Sequence, residues 1–170
     1  MAVTADILRT WRGPREVMRS LLAHGPREDR ALAYLITACV LLFVAQWPRL
    51  VRVAQGLETV QGQDSPELVQ LVAYAFFGSV MVLPLVFYAL AALSHLLARP
   101  LGGQGSWYSA RLALFWTLLA TAPVALLYGL VRGFSGPGIP AEILGLVWLA
   151  GFALIWLQCL REAEGPPPWQ

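Results

Sequence analysis

Hydrophobic and polar positions along the chain fall into four long charge-free runs joined by short charged connections. The runs cover residues 31–48, 68–98, 112–131 and 143–160, and each holds at least 18 residues without Asp, Glu, Lys or Arg. A helix needs about 20 largely apolar residues to cross a hydrocarbon core about 30 Å thick. Inside lipid, every backbone N–H and C=O has to be satisfied within its own segment. The pattern therefore predicts an all-α fold: a polytopic membrane helical bundle of four transmembrane helices. The second run would be about 46 Å long as a helix at 1.5 Å per residue, well beyond the core. It is predicted either to tilt and protrude or to bend at Pro84.

Ahead of the first run, residues 1–30 carry short apolar stripes instead of a span. Ile7, Leu8 and Trp11 form one stripe, and Val17, Met18, Leu21 and Leu22 form another, at the spacing of one helix face. Gly13-Pro14 divides the two predicted amphipathic helices, and Gly25-Pro26 closes the second and opens the next. Arg9, Arg12, Arg15 and Arg19 lie between the stripes. With Trp11 they are the candidate membrane-surface contacts, because arginines beside a shallowly buried apolar stripe attract anionic headgroups. The same stripes would also serve to pack on the protein's own spans, and the two roles are compatible. A cleaved secretory signal is not expected, since the arginines are spread out and no apolar core follows them directly.

Composition agrees with this division into a segment of residues 1–30, a four-span domain of residues 31–161 and a Pro-rich tail of residues 162–170, expected to be disordered. At 58% hydrophobic and 13% charged residues, the chain leaves no room for a separate soluble catalytic domain. Its 30-residue lead-in is below the roughly 40 residues that usually fold unaided. Cys39 and Cys159 both fall inside spans, where a disulfide framework of the secreted kind is not expected. All twelve basic residues are arginine. Four crossings place nine of them with the termini and the second loop, and only Arg49, Arg52 and Arg132 on the other side. The positive-inside rule then puts both termini in the cytoplasm.

Small residues and prolines shape the later spans. Ala113, Thr117, Thr121, Ala125 and Gly129 recur every fourth residue, as in membrane helices that approach closely. This seam is expected to meet another span of the same chain. Pro123 should bend that helix beside it, its freed carbonyl met by Thr117 or Thr121. The first span is expected to end at Gln46-Trp47-Pro48-Arg49. A surface loop with Leu50, Val51, Val53, Leu57 and Val60 should follow, and then Asp64-Ser65-Pro66-Glu67, which would open the second span. A tight turn over residues 133–140 should precede the fourth.

Gly13-Pro14-Arg15 in the basic lead-in, the loop Leu101-Gly102-Gly103-Gln104-Gly105, and Pro123 past the middle of the next span resemble bacterial members of the Yip (Ypt-interacting protein) family. The likeness covers roughly residues 10–160. It implies a multi-span helical bundle in the bacterial cytoplasmic (inner) membrane, without catalytic residues or cofactor. The family usually has five spans where four are counted here. The acidic-aromatic motif that eukaryotic members carry before the first span is missing, so GTPase binding is not carried over.

Candidate chemistry is sparse. No ionisable residue falls near a span centre, where a charge costs about 2.5–3.5 kcal/mol on insertion scales. His95 stands four residues before Arg99 and reads as interfacial, and His24 has no metal-spaced partner. The glycine-rich loop lacks the lysine of a phosphate-binding loop. The expectation is a non-enzymatic protein without metal, cofactor or nucleic-acid partner. Its surroundings would be the lipid bilayer, other membrane proteins or copies of itself, in a scaffold or accessory role. One alternative is a small oligomeric transporter or channel for a neutral or lipid-like solute, lined by Ser79, Ser94, Thr117, Thr121, Gln46 and Gln158. A second alternative is an accessory subunit or assembly factor of a respiratory or photosynthetic complex. Replacing both Thr117 and Thr121 with Leu should fill the seam and lower thermal stability in detergent; an unchanged melting profile and unchanged assembly would remove the seam.

Overall fold

The computed structural model describes residues 3–58 and 67–165, and those residues form helices and short connections. α1 (Val3–Thr10) and α2 (Pro14–Ala23) make the amphipathic lead-in, broken at Gly13-Pro14 as the sequence predicts. α3 (Glu28–Ala54) is the first long helix. α4 (Leu68–Phe76), a π-helical turn (Phe77–Val82) and α5 (Leu83–Ala98) form one continuous apolar helix. After a 3-10 turn at Arg99–Leu101 come α6 (Trp107–Ser135) and α7 (Ile139–Ala163). The four long helices all have the length and hydropathy to span a bilayer, so the chain is an all-α polytopic membrane bundle.

α6 is the axis of the bundle and packs against α3, α5 and α7, while α2 lies on α7. In its most apolar stretch 61% of residues are buried inside the bundle, against 11% for Leu68–Ala98 and for α7. The outer helices therefore turn most of their apolar surface outward, as helices in lipid can. Trp116 and Phe115 are fully buried in the core. Tyr34 of α3 meets Trp116 edge to face at 5.0 Å, and Tyr88 of α5 meets Phe115 at the same separation.

Small residues set how closely α6 and α3 can approach. A Cβ on Gly129 would overlap the Ala45 carbonyl oxygen, and one on Gly133 would overlap the Pro48 ring. The seam partner is thus within the chain, but it is not a single helix. A row at every fourth residue winds about 40° per step on a helix of 3.6 residues per turn. Thr117 accordingly lies within hydrogen-bond reach of Cys159 on α7, whereas Gly129 faces α3.

Several boundaries move. α3 does not end at Pro48; it continues to Ala54, with Leu50 and Val53 buried, so these residues are helical and not a surface loop. Pro48 is tolerated because its ring fills the space that Gly133 leaves open. Trp107 and Tyr108 belong to α6, which starts at a reciprocal cap between Ser106 and Ser109. The last turn shrinks to residues 136–138, with Gly136 at φ +73°. Glu67 precedes α4 without a side-chain cap bond. Val60, Asp64, Ser65, Pro66 and the tail beyond residue 165 lie outside the described residues.

The Gly129 contact is testable. Gly129→Ala should destabilise the bundle by about 1–3 kcal/mol, the usual range for overpacking, because the three nearest opposing atoms are all backbone atoms of Ala45. Gly78→Ala, where nothing lies within 4 Å of the added carbon, should stay close to the parent in detergent thermal melts.

Candidate functional site

Three polar assemblies punctuate the apolar bundle, and none was visible as a unit in the sequence. The first joins the lead-in to the core. Thr10 is fully buried, and its hydroxyl accepts a hydrogen bond from the Trp116 indole at 3.0 Å. Trp11 reaches further in and donates its indole N–H to the Ala120 carbonyl at 3.1 Å. Ala120 stands three residues before Pro123, where a proline ring loosens the helical ladder and leaves carbonyls short of donors.

The proline's accommodation therefore differs from the expected one. The Thr117 hydroxyl bonds the Ala113 carbonyl, and that of Thr121 bonds Thr117 and Leu118; neither reaches the carbonyls nearest the proline. Pro84, the other expected bend, is buried in the first turn of α5, directly after the π-helical turn. That turn is steadied by Gln46 of α3, which donates to the Ser79 hydroxyl at 2.8 Å.

Of the candidate surface contacts, Arg12 and Arg15 are exposed, Arg9 pairs with Asp6, and Arg19 pairs with Glu162 of α7 at 2.8 Å. The hydrogen bond to Glu162 raises the Arg19 pKa. Met18 is fully enclosed and Val17 and Leu21 are buried, so the stripe of α2 packs on the protein's own spans. Trp11 is partly exposed beside its bond to Ala120, and its ring would meet a Cβ on Gly151 of α7 at 3.2 Å.

The second assembly is centred on His95, which is almost wholly buried within the bundle. Its Nδ1 lies 2.7 Å from Oε1 of Glu164, also buried, and its ring sits against Trp107 at 4.6 Å between centroids. The loop of Leu101, Gly102, Gly103, Gln104 and Gly105 closes over this pair. Gln104 N–H donates to the Glu164 carbonyl at 2.9 Å. A Cβ on Gly103 would stand 2.8 Å from Glu164 Oε2, and one on Gly105 would collide with the Ala163 carbonyl. These glycines are needed for close approach, while Gly102, at φ +90°, supplies the turn. A cavity of about 630 Å³ opens beside the pair between α5 and α7, walled mainly by leucines and Trp156.

The third assembly lies at the opposite end of the bundle. Glu58 receives Arg49 at 3.1 Å and Arg132 at 2.8 Å, both on one carboxylate oxygen. Arg52 donates to the Gly133 carbonyl at 3.3 Å. Two of the three arginines of the arginine-poor side thereby share one acid. Burial of Glu58 would raise its pKa, but the hydrogen bonds from Arg49 and Arg132 together outweigh that and hold it below its ordinary value. Beneath this cluster is a cavity of about 430 Å³ bordered by α3, α5, α6 and α7.

No protein-family model, curated protein or solved structure matches the chain. The fold and its polar assemblies define the class, a four-span α-helical membrane protein.

The Glu58 pairing implies a pH dependence. The folded carboxyl titrates below its ordinary value of 4.5, so its ion pairs stabilise the protein above that pH and are lost as pH falls through the folded value. The melting temperature of the parent should therefore drop below about pH 4.5 more steeply than that of Glu58→Gln; parallel curves would show that the pairing adds no stability.

Proposed function

We propose that this is a non-enzymatic integral membrane protein that packs with other membrane proteins or organises local lipid, as a scaffold or accessory component. The supporting observation is where the polar groups go. The hydroxyls of Ser94, Thr117 and Thr121 bond the protein's own backbone, and Gln46 and Ser79 bond each other. These were the candidate lining of a polar path. The Gln46–Ser79 bond joins two helices, and the three hydroxyls are taken up by carbonyls of their own helices.

What remains to meet other molecules is the apolar outer surface. Leu85, Leu93 and Leu97 on α5 and Leu146, Leu154 and Leu157 on α7 are all exposed from the bundle. The arginine distribution supports both termini on the cytoplasmic side, and the likeness to bacterial members of the Yip family supports a bacterial cytoplasmic membrane. The Gly103 and Gly105 contacts give this loop a packing purpose, and the proposed membership of the Yip family rests on the sequence likeness alone, without GTPase binding.

Affinity purification from native membranes in a mild detergent, with mass spectrometry of what stays bound, tests the reading alongside solute-flux assays in reconstituted vesicles. A stoichiometric membrane-protein partner or a defined set of retained lipids, with no flux, is the expected result. Solute flux through vesicles holding the pure protein would overturn it in favour of a transporter.

A further inference from the structure

We propose that the cavity beneath Arg49 and Arg132 is a binding site for one anionic phospholipid, its phosphate held by the two guanidiniums and the start of its acyl chain lying along the groove. The inference goes beyond a general lipid-facing or scaffold role and does not depend on a protein partner.

Parallel helices build the site in matched register. α3 and α6 run in the same direction, with Ala45 against Gly129 and Pro48 against Gly133. On α3, Leu42 and Arg49 are seven residues apart; on α6, Ala125 and Arg132 have the same spacing, and all four border the cavity. Seven residues return to the same helix face about 10 Å further along the axis. Each helix therefore offers an apolar residue at depth and a guanidinium at the membrane boundary, which is the layout of a lipid from chain to headgroup. Leu83 of α5 and Leu149 of α7 extend the apolar walls.

The charge at the polar end favours an anion. Two guanidiniums against one carboxylate leave one positive charge in surplus at Arg49, Arg132 and Glu58. A guanidinium has five N–H donors in a fork suited to phosphate. Glu58 takes one from Arg49 and one from Arg132. Trp148, also bordering the cavity, has a buried indole N–H with no acceptor. A phospholipid ester carbonyl would satisfy it at the depth where tryptophan usually sits. The volume, about 430 Å³, suits a headgroup region with part of one chain and lies within the usual range of small-ligand sites.

A test uses the full chain reconstituted in vesicles of equimolar phosphatidylglycerol and phosphatidylcholine, extracted gently and weighed with its bound lipid by native mass spectrometry. The expected result is phosphatidylglycerol enriched by about fivefold for each arginine engaged. Enrichment should disappear both in Arg49→Gln/Arg132→Gln and in Leu149→Trp, which fills the apolar part without altering charge. If the double variant does not fold, Leu149→Trp decides alone. Equal retention of the two lipids by the parent, or enrichment that survives Leu149→Trp, would overturn the site. Displacement of the lipid by inorganic phosphate would also overturn it, by showing a site for a soluble anion.

Discussion

The close approach of α6 to α3 is the constraint on which the rest of the bundle depends. In lipid there is no hydrophobic force between helices, so association rests on van der Waals contact and on hydrogen bonds across the interface. Glycine at positions 129 and 133 lets the α6 backbone meet the Ala45 carbonyl and the Pro48 ring. That contact keeps α6 central, with α5 and α7 on its flanks. It also fixes the register that puts Arg49 and Arg132 on one carboxylate of Glu58.

Around this axis, polar groups work as joints. Trp11 meets a carbonyl near the Pro123 irregularity, Gln46 steadies the π-helical turn through Ser79, and His95 ties α5 to the end of α7 through Glu164. Each joint lies where the regular ladder is disturbed or where a helix ends, the places at which a membrane helix needs outside hydrogen bonds. The lead-in helices belong to the same scheme. By packing Met18 and Thr10 into the bundle, they become part of the fold.

The two ends differ in design. At the end with the lead-in, a buried His–Glu pair lies under glycines and tryptophan beside a cavity of about 630 Å³. At the other end, Arg49 and Arg132 share Glu58 above an apolar cavity.

The four long apolar helices and the split lead-in were legible in the sequence, because hydropathy and residue size act locally along a helix. The site residues were legible only in part. The glycines of the Leu101–Gly105 loop stood out, but their target, Glu164, did not, since it lies some sixty residues further along the chain. Pro48 read as a stop and proved internal, because only the space left by Gly133 on another helix makes room for it. Likewise the seam read as one face, and the winding of the helix divides it between α7 and α3. Sequence by itself determined which segments enter the membrane, since transfer from water to lipid depends on each segment's own composition. Only the tertiary structure decided which polar groups meet, because those pairings depend on the depth and rotation at which separate helices dock.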